Sequence, residues 1–331
     1  MTFAKENYLN ALNHKPTEFV PAVALDCVGA GASIPVERGT PDNPIDGFGV
    51  RWVSPPTAAG GALPAPGEFM LTDVTEWKQK IKFPDLSIYD WEKAAEKDLA
   101  PIDRDAVAVE ISNSNCIYER LATFMGFEGA LIAMAIEPEA TYELLEKLTD
   151  FKIETVKYFA KYYKPDIFTF FDDVATERSL FMAPETYRKL LKPLHKKLVQ
   201  AIKDCGIIPI QHTCGKADSI VEDMIDIGAH GWSAVQATND IEEIIEKHGD
   251  RFTIVGGYDS NGAPGLPGAT EEQIREEVLR CMTTYGKYGR GYIFSGNVLQ
   301  AGTIAITPQQ RLDAAAPVRN AVIDWREGRL K

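Results

Sequence analysis

The sequence predicts an α/β protein that folds as a single (β/α)8 barrel, also called a TIM barrel. Two observations favour it: a length of 331 residues, and short apolar runs that alternate with long amphipathic segments. A chain of this length can form one large barrel, and 45% hydrophobic residues suffice for its core. We therefore treat residues 1–331 as one domain.

Seven apolar runs have the length of β-strands, and between them apolar residues recur at intervals of three or four. The runs are FVPAVAL (19–25), AVAVEI (106–111), DIFTFF (166–171), GIIPIQ (206–211), GWSAVQ (231–236), FTIVGG (252–257) and GYIFSG (291–296). Strands that alternate with helices form parallel βαβ units, and continuously apolar strands are covered on both faces. An eighth strand is expected near residues 121–135 or within residues 29–67.

Two segments near the beginning of the chain lie outside this alternation. Residues 1–18 are typical of an amphipathic N-terminal helix and lack the apolar region of a signal peptide. Residues 29–67 are rich in Gly, Pro and Ala, which predicts a long loop with a short hairpin around FGVRWVS. Long loops in compact domains are often functional.

A doubly wound nucleotide-binding sheet is the alternative architecture. It requires a G-x-G-x-x-G turn after the first strand. Gly29-Ala30-Gly31 begins such a turn, but Ile34 stands where the third glycine belongs, and the sequence contains no P-loop. The barrel is therefore the favoured fold.

Charge and cysteine content limit the partners and the compartment. The net charge of −13 argues against binding to nucleic acid or to anionic membrane surfaces. No apolar stretch approaches the roughly 20 residues of a membrane-spanning helix. Five cysteines, an odd number at low density, do not imply a disulfide framework. We expect a cytoplasmic protein, and the sequence is compatible with a homodimer.

Polar residues follow almost every predicted strand. Catalytic groups of parallel barrels gather where strands end, so the joint position of these residues predicts an active site at one rim. They are Asp26, Cys27, Ser112, Asn113, Ser114, Asn115, Asp172, Asp173, His212, Cys214, Gln236, Tyr258, Asp259, Asn261, Ser295 and Asn297.

His212 and Cys214 are a candidate pair of metal ligands. Side chains two residues apart on a strand point to one face, and zinc favours imidazole and thiolate ligands. A catalytic zinc usually has three protein ligands, so further ones would come from other strand ends, such as Cys27, Asp172, Asp173 or Asp259. The alternative interpretation is a hydrogen-bonded histidine beside a buried thiol.

The other strand-end residues also allow two interpretations. Asp172 or Asp173, next to the aromatic residues of the preceding strand, is a candidate general acid, because burial raises the pKa of a carboxyl group. The alternative is a helix N-cap. Tyr258 and Asp259 form a polar cluster or a simple turn. Phe171 is a candidate wall for an aromatic ligand, although most aromatic residues are core.

Several longer segments carry a resemblance to a known family. They are FDDVATERSLFMAPETYRKLLKPLHKKL (171–198), IQHTCGKADSIVEDMIDIGAHGWS (210–233), IVGGYDSNGAPGLPGATEEQIREEV (254–278) and GYIFSGNVLQAGTIAITPQQRLDAAAPV (291–318). These segments, in this order along the chain, resemble the uroporphyrinogen decarboxylase superfamily. The resemblance covers most of the chain and implies a (β/α)8 barrel.

Departures from the motifs of this superfamily indicate to which of its functional branches, decarboxylases or methyltransferases, the chain is more similar. Decarboxylases of this superfamily carry an arginine motif soon after the first strand, whereas this chain reads ALDCVGAGAS there and has no arginine before Arg38. Members that methylate coenzyme M hold zinc with His-x-Cys and a later Cys. His212 and Cys214 match the first part, and Asn297 stands where the later Cys is expected.

The chain most resembles the methyltransferase I components of anaerobic O-demethylase systems. These transfer a methyl group from a phenyl methyl ether, such as a guaiacol- or veratrole-like compound, to the cobalt of a corrinoid protein. This chain has no D-x-H-x-x-G motif, so the corrinoid (cobalamin) is expected on a partner protein. For this reaction we expect Asp172, Asp173 and His212 to be catalytic: help to the leaving oxygen comes either from a proton donor (Asp172, Asp173 or Tyr258) or from a zinc ion at His212 and Cys214, whose third ligand the sequence does not identify.

Six residues are implied as contacts of the methoxyaromatic substrate: Cys27, Asn113, Phe171, Tyr258, Asp259 and Asn297. The alternative activities are methyl transfer from a methylcorrinoid to a thiol such as coenzyme M or to a folate, and a decarboxylase-like lyase. A non-enzymatic module that docks the corrinoid protein is a further alternative.

Overall fold

The structure is a computed structural model that describes residues 3–31, 33–34, 36–39, 43–54, 62–298 and 308–331. The α-helices are α1 (Phe3–Leu12), α2 (Val23–Asp26), α3 (Trp77–Lys80), α4 (Trp91–Leu99), α5 (Tyr118–Met125), α6 (Phe127–Ile136), α7 (Pro138–Tyr162), α8 (Pro184–Leu190), α9 (Lys192–Asp204), α10 (Val221–Asp226), α11 (Ile241–His248), α12 (Glu271–Thr284) and α13 (Pro308–Arg326). The strands are β1 (Cys27–Gly29), β2 (Trp52–Val53), β3 (Leu63–Pro64), β4 (Ala108–Asn113), β5 (Ile167–Phe171), β6 (Ile208–His212), β7 (Gly231–Val235), β8 (Thr253–Gly257) and β9 (Tyr292–Ser295). Within these ranges, no helix has both the length and the apolar character to span a bilayer.

The centre of the fold is a parallel sheet of seven strands in the order β1-β4-β5-β6-β7-β8-β9. The sheet curls, because Ala22, before β1, forms a parallel bridge to Phe294 in β9, whose backbone N–H donates to Pro21 O at 2.8 Å. The predicted parallel α/β architecture is confirmed. Residues 121–135, one expected place for an eighth strand, are helical (α5 and α6).

The first strand lies later in the chain than the sequence indicated. Residues 19–25 were expected to be extended, but Val23–Asp26 forms a helical turn and β1 begins at Cys27. The Asp26 carboxylate stabilises this turn by accepting from Ala22 N at 2.8 Å, and it pairs with Arg326 of α13. Cys27 therefore begins a strand, whereas the sequence placed it past a strand end.

Helix α1 closes the amino-terminal end of the curled sheet. Tyr8, Ala11 and Leu12 of α1 are buried against the inward-facing apolar residues of the central strands. These are Ala108, Ile167, Ile210, Val255 and Ile293. Thr253 Oγ1 also donates to Ala11 O at 2.8 Å. The interior of the sheet is thus sealed at this end, which leaves the carboxyl edge as the side for ligands.

The excursion between β1 and β4 is fastened to the helix layer by buried ion pairs. Arg120 of α5 is fully buried and pairs with Asp46 at 2.8 Å and with Glu37 at 3.0 Å. Lys152 of α7 also reaches Glu37, at 2.5 Å. Strands β2 and β3 pair as a short antiparallel ribbon in the same excursion. These contacts hold Glu37 near the carboxyl end of β4 and Asp46 against α5.

Candidate active site

Three potential metal ligands meet at the carboxyl edge of the sheet. His212 ends β6, Cys214 follows it, and Asp173 comes two residues after β5. Their ligand atoms lie within 4.8 Å of one another. Cys214 Sγ is 3.6 Å from His212 Nε2, which is 4.0 Å from Asp173 Oδ1. The structure thus brings together the predicted His-x-Cys pair and one of the four residues expected to complete it.

The glycine after Cys214 makes this meeting possible. Gly215 has a φ of +85°, and a Cβ there would lie 2.3 Å from Thr176 O. A side chain would push away the loop that follows β5. Because that loop packs closely, Cys214 N donates to Asp173 Oδ1 at 2.8 Å and Lys216 N donates to Thr176 O at 2.7 Å.

The imidazole of His212 is held in place from two sides. Its ring stacks on Phe171, with centroids 3.8 Å apart and an interplanar angle of 16°. Nδ1 lies 3.2 Å from Ser233 Oγ, so a proton on Nδ1 leaves the Nε2 lone pair facing Cys214 and Asp173. Burial lowers the pKa of His212 to about 3, which keeps the ring neutral and able to bind a metal.

The pKa values of the thiol and the carboxyl group of the cluster are raised, whereas that of the imidazole is lowered. Burial, followed by the charge of Asp173, raises the pKa of Cys214 to about 12, and burial raises the pKa of Asp173. A divalent cation would favour the ionised form of both groups. Imidazole nitrogen, thiolate sulfur and carboxylate oxygen form a zinc ligand set, and three protein ligands leave a fourth position open, as in catalytic sites. The residues present therefore fit a zinc ion.

Glu119 is a functional candidate that the sequence reasoning missed. Burial, and then the charges of Asp173 and Asp172, raise its pKa to about 8, so its carboxyl group is largely protonated at neutral pH. Asn115 N donates to Glu119 Oε2 at 3.2 Å and orients it. An acidic residue in the first turn of a helix is common, so the sequence offered no signal for this site.

Asp172 does not join the cluster, although it adjoins Asp173 in sequence. Its carboxylate is fully buried and accepts from Tyr118 N at 3.1 Å and Glu119 N at 2.9 Å, which caps the N-terminus of α5. Its Oδ2 also lies 2.7 Å from His195 Nε2 on α9. The helix-capping interpretation describes the two contacts with α5, although the capped helix precedes Asp172 in the chain.

Tyr258 and Asp259 form a turn that the structure places apart from the cluster. The buried Tyr258 donates its hydroxyl proton to Pro264 O at 2.8 Å. Asp259 Oδ1 accepts from Gly262 N at 2.8 Å, a contact typical of an aspartate in a turn. The alternative interpretation from the sequence, a simple turn, describes this geometry.

The remaining predicted substrate residues are dispersed. Asn297 is exposed, and its Oδ1 accepts from Ser260 Oγ at 3.4 Å. Cys27 lies toward α1, with its sulfur 3.8 Å from Glu110 Oε2. Asn113 is buried on the helix side of β4, where its Oδ1 accepts from Lys152 Nζ at 3.3 Å. These three side chains do not converge on the cluster.

A cavity of about 200 Å³ lies inside the curled sheet and reaches the cluster. Phe171, His212 and Ser233 line it at the carboxyl edge. Glu110 and Tyr8 line it toward α1, where burial raises the pKa of Glu110. A small molecule in this cavity would therefore contact His212 of the cluster and Phe171.

Known proteins resemble this chain in both structure and sequence. A solved methyltransferase from Methanosarcina mazei covers 97% of this chain and 99% of its own, with a TM-score of 0.64 and 17% identity, a likeness of fold. The methylcobamide:CoM methyltransferase MtaA of Methanosarcina barkeri is 30% identical over 95 residues, which is 29% of this chain and 26% of that relative. The family described as uroporphyrinogen decarboxylase (URO-D) matches residues 119–314. Since that match spans more than half of the chain, the protein belongs to the uroporphyrinogen decarboxylase family.

Proposed function

We propose that this protein is a corrinoid-dependent methyltransferase that cleaves a phenyl methyl ether and transfers the methyl group to the Co(I) corrinoid of a partner protein. The observation that carries the proposal is the cluster of Asp173, His212 and Cys214, whose His212 lines the cavity inside the sheet. The two methyltransferases that resemble the chain support methyl transfer as the reaction class. We also propose that the protein is cytoplasmic and that its sheet closes as a (β/α)8 barrel.

The chemistry of the ether sets what the protein must supply. Co(I) attacks the methyl carbon, the carbon–oxygen bond breaks, and its electron pair leaves on the phenolate oxygen. The products are methyl-Co(III) and, after protonation of that oxygen, a phenol. Phenolate is a poor leaving group, so the site has to position the methyl group and stabilise the developing charge on oxygen.

The side chains of this chain have distinct tasks in that reaction. Phe171, one face of which stacks on His212, lines the cavity and offers an apolar wall for the aryl ring. His212, Cys214 and Asp173 would hold a zinc ion, which when bound supplies Lewis acidity toward an oxygen or sulfur ligand. Glu119 carries a proton on its carboxyl group at neutral pH and is the candidate donor to the leaving oxygen.

A second candidate is transfer of the methyl group from a methylcorrinoid to a thiol. The match to MtaA over 95 residues favours it, because that relative is a methylcobamide:CoM methyltransferase. The same three ligands suit it, since a metal ion favours the thiolate form of a bound thiol. In this reaction the thiolate sulfur attacks the methyl carbon, and the electron pair of the cobalt–carbon bond returns to cobalt as Co(I).

The two reactions change the cobalt spectrum in opposite directions, which makes one assay decisive. The protein is mixed under anaerobic conditions with cob(I)alamin and a panel of methoxybenzenes, and separately with methylcobalamin and a panel of thiols. Ether cleavage converts Co(I) to methyl-Co(III), whereas thiol methylation regenerates Co(I). The control variants are His212→Ala, expected to be inactive, and Asn297→Ala, expected to be active. If neither spectrum changes faster than without protein, the proposal is wrong.

A further inference from the structure

A second cavity, which we call the side pocket, lies between the carboxyl end of β4 and helices α4 and α7. Its volume is about 190 Å³. Glu37, Arg38 and Asn113 line its polar side, while Trp91 of α4 and Phe159 of α7 form an apolar wall. Ligand sites for drug-sized molecules occupy roughly 300–1,000 Å³, so the side pocket is matched to a smaller compound.

Three buried polar atoms around the side pocket have no hydrogen-bond partner in the part of the chain that the structure describes. They are Arg38 Nε, Asn113 Nδ2 and Glu37 Oε1. Asn113 is only 3% exposed, and its other polar atom, Oδ1, is already used by Lys152. Buried polar atoms nearly always have partners. Two unused donors and one unused acceptor on the same small cavity therefore indicate a polar ligand.

The charges around the side pocket favour an anion. Glu37 Oε2 accepts from both Lys152, at 2.5 Å, and Arg120, at 3.0 Å, and Arg120 also pairs with Asp46. Arg38 stacks over the Trp52 ring at 5.0 Å and makes no ion pair with a described residue. Three cations thus face these two carboxylates, and the charge of a third carboxyl group, Glu119, acts on Arg38 without forming an ion pair. Among the described residues the guanidinium of Arg38 is the cation that has no paired carboxylate, and a guanidinium binds carboxylates well because it presents a planar fork of donors.

We propose that the side pocket binds a small organic carboxylate that also carries a hydroxyl group. The carboxylate accepts hydrogen bonds from Arg38 Nε and Asn113 Nδ2, and the hydroxyl group donates to Glu37 Oε1. The rest of the molecule packs against Trp91 and Phe159. This arrangement provides a partner for each of the three unused atoms and balances the charge of Arg38.

The carboxylate can belong to the methyl donor or to a separate molecule. Ser112 lines both the side pocket and the cavity inside the sheet, so the two spaces adjoin. The first source makes the substrate a methoxylated aromatic acid and rests on the proposed function. Binding to the side pocket does not depend on methyl transfer, so the two ideas are tested separately.

Calorimetric titration of the purified protein tests the site directly. The probes are 2-hydroxybenzoate, benzoate and the neutral benzyl alcohol. We expect hydroxybenzoate to bind more tightly than benzoate, and benzyl alcohol to bind at least tenfold more weakly. Arg38→Met is expected to weaken hydroxybenzoate binding about tenfold or more, the size of a lost charge-assisted hydrogen bond. Arg38→Lys, which keeps the charge, should fall between the two. Arg51→Met, an exposed arginine of the same excursion, is the matched control and should bind as wild type does.

The outcomes that overturn the site are specific. Benzyl alcohol that binds as tightly as benzoate removes the anion argument, and unchanged affinity in both Arg38 variants removes the residue assignment. Kinetics with methoxybenzoate and anisole decide whether the bound carboxylate belongs to the methyl donor or to a separate molecule. If Arg38→Met raises KM for methoxybenzoate about tenfold but leaves anisole unchanged, the carboxylate belongs to the methyl donor. If binding is lost while both substrates react as before, a separate carboxylate occupies the site. If the wild-type protein transfers no methyl group, the titration still decides whether the site exists.

Discussion

Asp172 and Asp173 are neighbours in sequence, but we expect their substitution to affect different properties of the protein. Asp172 is buried and its carboxylate accepts from two backbone N–H groups of α5 and contacts His195. Asp173 is 35% exposed and shares the cluster with His212 and Cys214. We expect Asp172→Asn to lower stability and Asp173→Asn to lower metal binding and activity.

The magnitude for Asp172→Asn follows from the contacts that an amide cannot reproduce. Losing a helix-capping carboxylate costs about 0.5–2 kcal/mol. Weakening the hydrogen bond between charged or polarised partners at His195 costs about 1.5–3 kcal/mol. The amide oxygen still accepts one bond, so the net loss is about 2–4 kcal/mol. With an unfolding entropy of about 2.1 cal/mol/K per residue, a chain of 331 residues should lose about 3–6 °C in Tm.

Differential scanning calorimetry of the two variants, with zinc content measured on the same samples, checks this expectation. Asp173→Asn should melt within about 1 °C of wild type in the presence of a chelator, because its side chain is only partly buried and the amide oxygen can still accept the hydrogen bond from Cys214 N. A destabilised Asp173→Asn together with a wild-type Tm for Asp172→Asn would refute the reasoning. So would loss of zinc from Asp172→Asn at a temperature where it is folded.

Three further expectations concern the cluster, the buried ion pairs and pH. Cys214→Ser should reduce zinc from about one ion per chain to a small fraction, measured by atomic emission, while Asn297→Ala keeps wild-type zinc. Arg120→Met should cost about 3–5 kcal/mol in urea unfolding, because it leaves the fully buried Asp46 carboxylate without its cation, while Glu37 keeps Lys152; the exposed Arg51→Met should change stability by less than about 0.5 kcal/mol. Burial lowers the pKa of His230 below its usual 6.5, so the unfolded chain binds this proton more tightly and stability is lost as pH falls below about 6.5. His230→Gln should therefore lose less stability than wild type between pH 7.5 and 5.5, and an equal loss would contradict this account.

The architecture could be predicted from the sequence because parallel βαβ units require apolar strands to alternate with amphipathic helices along the whole chain. Continuous apolar runs such as DIFTFF and GIIPIQ became the buried strands β5 and β6. The first strand was misplaced because FVPAVAL is apolar throughout, while its actual conformation depends on Asp26 and on Arg326, 300 residues away. A contact of that range leaves no local signal.

The candidate site could be predicted only in part, again because some of its contacts join residues far apart in the chain. The strand period predicted that His212 and Cys214 lie close together, and their ligand atoms do meet, although β6 ends at His212 and Cys214 lies in the loop that follows it. It could not decide between Asp172 and Asp173, because that choice depends on His195 of α9 and on the N-terminus of α5. Glu119 became a candidate proton donor, and Arg38 a candidate ligand-binding residue, only because the structure shows the burial of the Glu119 carboxyl group and the missing partner of Arg38 Nε.

The closure of the sheet interior by α1 has a consequence for biosynthesis. Helix α1 is translated before the strands that bury it, and the residues that bury it include Val255 and Ile293, far later in the chain. The turn at Asp26 similarly waits for Arg326. Chains generally fold from the N-terminus during synthesis, yet here α1 has no complete binding surface until β8 and β9 emerge. We expect α1 to stay available to chaperones until then, and the folding of the sheet interior to be delayed until the strand containing Ile293 has been released.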